Sequence, residues 1–346
     1  MTAAGPIIIA GDWGTSHLRL FLCEGTRTLA SLTGPGVGPV SMQTEAAAPG
    51  SSPTFAQILS GLVADWVSRH GAVPVWLSGM VGSRSGWREI AYLPCPVDTA
   101  TLARAVRPFA ANGLRIAIVP GLSCTNSHGA PDVMRGEETQ IIGALARYPE
   151  LNRGRRIFCL PGTHSKWVTV EDGRILAFQT SFSGELYQLL TERSTLTRAL
   201  TNSSNAADRA GQTDEPSGAP EIAQRSAFEA GYQRVLTLPG VPLSYLLFEV
   251  RSRQLAGELS RMEALAFLSG LVIGQDIQGA TGLLRGAATA GQRVAVVGAP
   301  HLTELYRQVL ASHGVSTLLI EASEATVSGL SALAVVQPQK ETSRVH

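Results

Sequence analysis

The first regular pattern in the chain is an apolar run, Ile7-Ile8-Ile9-Ala10. It stops at Gly11-Asp12-Trp13-Gly14-Thr15-Ser16 and resumes from His17 to Leu22 as an alternation of apolar and polar positions. That order predicts a strand, a tight turn and a second strand. The scheme returns at Ile157-Phe158-Cys159-Leu160, Pro161-Gly162-Thr163-His164-Ser165-Lys166 and Trp167-Val168-Thr169-Val170. In both copies a second glycine, Gly25 or Gly173, follows the turn glycine Gly14 or Gly162 at the same interval, and a third strand is expected beyond it, near Thr28–Leu32 in the first copy. Two matching meanders predict two related halves.

Between and after them the pattern is of the α/β type. Gly34-Pro35-Gly36-Val37-Gly38-Pro39 reads as a loop. Phe55, Ile58, Leu59, Leu62, Val63, Trp66 and Val67 recur at helical spacing, which predicts a core-facing helix over 53–70. Val73–Leu77 is a buried strand that empties into Ser78-Gly79-Met80-Val81-Gly82-Ser83-Arg84-Ser85-Gly86-Trp87. A helix is expected over Thr99–Phe109, a strand over Leu114–Val119, and helices from Glu137 and from Ser183. Residues 201–220 are polar and read as a loop, 221–279 as largely helical, and the tail from Pro338 as frayed. Strand, glycine turn and helix follow over Arg293–Ser312, then a last strand (Val315–Ile320) and a last helix (324–336).

Composition narrows the class. A chain of 346 residues supports two domains with substantial cores. A net charge of +1 with 16% charged residues leaves no basic field for nucleic acid. Cys23, Cys95, Cys124 and Cys159 show neither C-x-x-C spacing nor a disulfide framework, as expected of reduced thiols in the cytoplasm. Neither a secretory leader nor an apolar stretch long enough to span a bilayer is visible, so a soluble cytoplasmic protein is expected.

The candidate chemistry sits where strands end. Asp12 closes the first strand, and Mg²⁺ takes few protein carboxylates and keeps much of its water. Gly14 lets main chain approach a ligand, and Thr15 and Ser16 add hydroxyls, the chemistry of a phosphate cradle. The plain alternative is a hairpin turn. The Ser78–Trp87 loop lies beyond the carboxyl end of a strand, where α/β sheets bind ligands. Within it the guanidinium of Arg84 suits a carboxylate. Glu137 and Glu138 open a helix, where acids complement the dipole or serve a reaction.

Paired phosphate turns of this kind resemble the acetate and sugar kinase, Hsp70 and actin superfamily. Asp12-Trp13-Gly14-Thr15-Ser16 with Arg19, Gly79–Trp87, Arg135-Gly136-Glu137-Glu138-Thr139-Gln140 and Leu160–Trp167 together resemble the 2-dehydro-3-deoxygalactonokinase family, in the same order from residue 7 to residue 335. The resemblance implies an α/β protein of two actin-like (ribonuclease H-like) domains, each a mixed five-stranded sheet flanked by helices, with the active-site cleft between them. Residues 1–150 would form the substrate and phosphate side. Residues 151–346 would form the ATP side, with a helical insert at about 183–280 and the last helix at the interdomain hinge.

The implied reaction moves a phosphoryl group from ATP, with Mg²⁺, to the 6-hydroxyl of 2-dehydro-3-deoxy-D-galactonate in galactonate catabolism. Asp12 would organise Mg²⁺. Gly14, Thr15, Ser16, Gly162, Thr163, His164 and Ser165 would bind phosphates, with Lys166 adding charge, and Gly298 and Ala299 would lie against adenine. The superfamily's usual base is Asp. Here Glu137 or Glu138 holds the place, with Asp132 still open. Arg84 and Arg19 are the candidates for the substrate carboxylate, Arg19 alternatively bracing the first turn. Gly36, Val37, Gly38, Met80, Ser83 and Trp87 would border the substrate, with Trp87 alternatively packing. The partners implied are a sugar acid and ATP, with a homodimer allowed. The rivals are a kinase of another sugar acid or polyol and an actin-like ATPase or nucleotide-binding regulator.

Overall fold

The structure is a computed structural model that describes residues 5–46, 54–197, 219–284 and 291–337. The polar stretch expected as a loop lies, up to residue 218, outside the described residues, as does the tail from Pro338. The first half runs β1 (Ile7–Trp13), β2 (His17–Glu24), β3 (Arg27–Pro35), α1 (Val37–Ala46), α2 (Phe55–His70), β4 (Val75–Ser78), β5 (Leu93–Pro94) and α3 (Thr99–Ala105). It continues through β6 (Phe109–Ala111), β7 (Leu114–Ile118), β8 (Leu122–Thr125), β9 (Pro131–Met134) and α4 (Glu137–Arg147). The second half has β10 (Arg155–Leu160), β11 (Ser165–Glu171), β12 (Arg174–Ser181), α5 (Ser183–Glu192), α6 (Ala219–Thr237), α7 (Leu243–Leu255) and α8 (Arg261–Gly279). It ends with β13 (Val294–Gly298), α9 (Pro300–Ser312), β14 (Thr317–Glu321) and α10 (Ala322–Val336).

One sheet has the order β3-β2-β1-β4-β7-β6 and another β12-β11-β10-β13-β14. In each the meander lies on one side of its own first strand and the later strands on the other, so the repeat seen in the sequence is a repeat of topology. This doubled order is that of the actin-like, ribonuclease H-like fold. β1 pairs antiparallel with β2 and parallel with β4. Central strands are covered on both faces and read as continuous apolar runs, and Ile8, Ile9 and Ala10 are accordingly buried. β2 instead alternates, burying Leu18, Leu20 and Leu22 in a core with Trp13, Leu59, Val63, Val75, Leu77 and Ile116.

Three expectations need correction. The first sheet has an additional edge strand: α3 stops at Ala105, and Phe109–Ala111 pairs antiparallel with β7. Pro108 disfavours helix at the residue before it, and Phe109 packs in the core with its ring 5.4 Å from that of Trp87. A small third sheet, β5-β8-β9, was not foreseen. Finally, the stretch from Gly34 to Pro39 is not a loop: β3 runs to Pro35 and α1 starts at Val37. Tertiary hydrogen bonds described below outweigh the weak helix propensity of Gly and Pro there, and Pro39 falls in the first turn, where Pro is tolerated.

Contacts divide the chain into two compact units, one of residues 1–158, 168–179 and 320–346, the other of 159–167 and 180–319. The last helix thus packs in the first unit. α10 lies on α4 so closely that a Cβ on Gly143 would be 1.8 Å from the Ala325 carbonyl oxygen, and one on Gly329 2.0 Å from that of Thr139. Ser331 adds a 2.6 Å hydrogen bond to the Gly25 carbonyl, and Arg147 pairs with Glu324 at 3.1 Å. Among the described residues no helix is long and apolar enough to cross a membrane. Gly143→Ala inserts a methyl where main chain already lies, so it should lower unfolding free energy by ~1–3 kcal/mol in urea titrations. An unchanged midpoint would show that α4 and α10 can part at no cost.

Candidate active site

β1 and β4 are parallel with Asp12 opposite Ser78, so both strands empty at the same edge. Asp12 also faces Arg19 across the β1–β2 pair, and a 2.6 Å ion pair joins them, with the Asp12 side chain 18% exposed. The turn beyond Asp12 exposes Thr15 and Ser16. It is held from behind by Gly36, Val37 and Gly38, whose N–H groups donate to Ser16 O (3.2 Å), Gly14 O (3.0 Å) and Thr15 O (2.9 Å). A Cβ on Gly36 would lie 2.3 Å from the Ser16 carbonyl carbon, so only glycine fits. Val37 itself is buried in the core. These three residues, expected to border the substrate, brace the Gly14–Ser16 turn through their main chain.

The loop after β4 starts at Gly79, with φ +92°. A Cβ there would sit 2.9 Å from Trp13 O and 3.2 Å from Asp12 Oδ1. The loop then coils through a short 3-10 turn at Met80–Gly82, and the Ser83 hydroxyl donates to Met80 O at 2.7 Å. Trp87 stacks on Phe55 (6.3 Å between centroids) and meets Trp13 and Phe109 edge-on. Its packing is core packing, shared with Met80. Arg84, by contrast, is exposed at the head of the loop.

Gly136, with φ +111°, turns the chain into α4 and would place a Cβ 3.4 Å from Gly79 Cα. The helix start therefore abuts the Gly79 loop. Glu137 is partly exposed and accepts the Arg135 N–H at 3.0 Å. Glu138 is 0% exposed and accepts from the Gly136 N–H (2.7 Å) and the Thr139 hydroxyl (3.1 Å). Burial, and then the Glu137 charge, pushes the Glu138 carboxyl up to about 8. Asp132 lies on β9 opposite Cys124 and accepts from Asn126 Nδ2 at 3.4 Å and the Val133 N–H at 2.8 Å.

In the second unit the Gly162–Ser165 turn is locked against the start of α5. A Cβ on Gly184 would be 2.1 Å from Gly162 O, and the Glu185 N–H donates to Thr163 O at 2.8 Å. His164 Nε2 meets Glu185 Oε2 at 2.5 Å and its ring stacks on Phe182. Ser165 is fully buried, its hydroxyl 2.7 Å from that of Ser183 and 2.9 Å from that of Tyr306. Lys166 is also buried, with Nζ donating to His164 O at 3.2 Å. A cleft of about 460 Å³ opens beside the turn, lined by Gly162, Thr163, Ser183, Gly184 and Tyr187, with Val272 and Ile273 of α8 and His301, Leu302, Leu305 and Tyr306 of α9. That volume suits a small cofactor. Gly162, Thr163, Ser183 and Gly184 lie on one part of the cleft wall and the aliphatic residues Val272, Ile273, Leu302 and Leu305 on another.

Gly298 is buried beneath α9 and Ala299 is exposed just before it. The cleft is lined from the following turns of that helix, residues that the sequence pattern did not single out. Nor did it single out Asp276, 5% exposed on α8. Its signal was legible: Leu268, Val272 and Asp276 share a helical face, and an acid on an apolar stripe calls for a partner. Among the described residues no cluster of three or more His, Cys, Asp or Glu is set to hold a metal. Asp12, a single partly exposed carboxylate at a phosphate-type turn, fits Mg²⁺ that arrives with a nucleotide.

A doubled strand order with a glycine turn after the first strand of each copy defines the actin-like class of fold. The model of the 2-keto-3-deoxy-galactonokinase family matches residues 12–333, and the chain belongs to that family. It is 35% identical to a Rhizobium meliloti (strain 1021) relative named "Probable 2-dehydro-3-deoxygalactonokinase", over 96% of this chain and 98% of that one. It is 32% identical to the Escherichia coli (strain K12) 2-dehydro-3-deoxygalactonokinase, over 94% and 97%. A crystal structure of a Sinorhizobium meliloti chain of the same name shares 33% identity, covers 94% of this chain and 98% of its own, and superposes with a TM-score of 0.75.

The Glu138 carboxyl carries a pH signature. Its folded pKa lies above the ordinary 4.5, so the unfolded chain loses the proton first as pH rises. Its stabilising contribution is complete below about pH 4.5 and is lost progressively up to about pH 8. Glu138→Gln cannot ionise and should flatten this part of the profile. In urea titrations at about pH 5 and about pH 8.5, the variant's midpoint should gain on wild type at the higher pH. Parallel profiles would mean that Glu138 is ionised in the folded protein.

Proposed function

We propose that the protein transfers the γ-phosphoryl group of ATP to the 6-hydroxyl of 2-dehydro-3-deoxy-D-galactonate, giving the 6-phosphate and ADP. What carries this reading is the near-full-length similarity to relatives named for that kinase activity. The cleft beside Gly162 and Thr163 supports it, having glycine, threonine and serine on one side and aliphatic residues of α8 and α9 on the other. Phosphoryl transfer asks a protein for alignment and charge neutralisation more than for covalent chemistry. Main-chain N–H groups of Thr15 and Ser16 and of the Gly162–His164 turn are the donors for phosphate oxygens, the Gly14 N–H being spent on His17 O at 3.0 Å. Mg²⁺, when bound, offsets phosphate charge, and Asp12 is the residue to hold it, with Arg19 fixing the Asp12 rotamer.

Glu137 is our general base. A base must reach the hydroxyl whose proton it takes. Glu137 is partly exposed at the start of α4, whereas Glu138 is enclosed and held protonated near neutrality. The Arg84 guanidinium is the candidate for the carboxylate of the acid. A cytoplasmic enzyme agrees with four cysteines that are all free thiols.

The test is ADP release from ATP and Mg²⁺ with 2-dehydro-3-deoxy-D-galactonate, beside a panel of other sugar acids and polyols. Glu137→Gln should lower kcat by ~10²-fold or more while ATP binding stays within about 2-fold. Glu138→Gln should retain most of kcat. The opposite ranking would move the base to Glu138, and release stimulated only by another acid would overturn the acceptor.

A further inference from the structure

The buried Asp276 carboxylate is bonded by neutral donors alone in the described structure. Trp167 Nε1–H donates to Oδ1 at 2.8 Å, while the Ser183 hydroxyl (2.9 Å) and the Tyr306 hydroxyl donate to Oδ2. Burial, and then the Asp276 charge, raises the Tyr306 phenol well above its ordinary range, so it stays a donor. Counting hydrogens settles the rest of the network. Ser183 and Tyr306 each own one hydroxyl hydrogen, and both are spent on Asp276. Ser165 lies within hydrogen-bond reach of both oxygens, so its own hydrogen must point inward to one of them. Ser165 then has no hydroxyl hydrogen to offer a nucleotide. What the turn can offer is its main chain, and the place of that main chain is fixed from inside.

We propose that Asp276 is a positioning residue for the nucleotide turn: through Ser183 and Tyr306 it pins Ser165 inward and holds the Gly162–Ser165 main chain against α5 in its phosphate-binding form. This rests on the nucleotide reading of the cleft. It also gives Tyr306 and Ser183 two duties, since both line that cleft as well as bridging the carboxylate to the turn. Trp167, on the opposite oxygen, has no bond to Ser165 and serves as an internal comparison.

The experiment is calorimetric binding of ATP with Mg²⁺, and KM for ATP and for the sugar acid separately, in wild type, Asp276→Asn, Tyr306→Phe and Trp167→Phe. Circular dichroism and thermal melting establish that each variant is folded. Asp276→Asn and Tyr306→Phe should weaken ATP binding and raise its KM by ~10-fold or more, leaving the sugar-acid KM within about 2-fold. Trp167→Phe should lower the melting temperature with KM for ATP changed by less than about 2-fold. A merely structural Asp276 would move both KM values together or neither, and either result in a folded variant overturns the proposal. If Asp276→Asn does not fold, Ser165→Ala, which deletes the buried hydroxyl on the turn itself and does not line the cleft, decides by the same split. Wild type that binds no ATP would instead overturn the nucleotide reading, and the positioning role with it.

Discussion

Main chain pressed directly on main chain is the constraint on which both turns depend. Gly36 lies on Ser16, Gly79 against Trp13 and Asp12, and Gly184 on the Gly162 carbonyl, each at distances that no side chain could share. Glycine costs conformational entropy on folding, but here it lets a neighbouring segment fix a turn through hydrogen bonds to its carbonyls. The N–H groups of a turn held in this way are set before a ligand arrives. Preorganised donors pay no reorganisation cost at the moment of reaction, which is why phosphate sites favour them. The same device seats α10 on α4, the helix whose first residues are Glu137 and Glu138.

Charge is distributed with comparable economy. The Asp12–Arg19 pair is partly exposed, and pairs open to solvent contribute ~1 kcal/mol or less to stability. Its value is the orientation of Asp12. Glu138 is enclosed and kept neutral, which places uncharged bulk and two accepted hydrogen bonds behind the more accessible Glu137. Asp276 is also enclosed, but three donors converge on it. Removing one partner of a buried polar group costs more than the bond's net worth, because the other partner stays desolvated. Such networks hold geometry firmly.

The sequence was informative wherever period and position agree. The doubled meander, the turn glycines and the acid-bearing start of α4 were legible because strand alternation and turn chemistry are local. The α1 start at Val37 was not, since Gly and Pro argue for a loop and only hydrogen bonds to residues 14–16, distant in the chain, make a helix there. Trp87 offered two readings, and its partners in the aromatic cluster, Phe55 and Phe109, are too far away in the chain for periodicity to name. Ser165 and Lys166 sit in a turn motif, yet both side chains are buried, because they already open β11, which is buried on both faces from Ser165 to Val170. Asp276 was visible as an acid on an apolar stripe. Its partners come from β11, α5 and α9, and no periodicity names them.

The product of the reaction tests the assignment most directly. Phosphorus NMR of a mixture of the protein, ATP, Mg²⁺ and 2-dehydro-3-deoxy-D-galactonate should show ADP and one phosphomonoester growing in equal amounts. The monoester signal should be split into a triplet by the hydrogens on C6. Inorganic phosphate as the sole partner of ADP, or a doublet from a secondary carbon, would contradict transfer to the 6-hydroxyl.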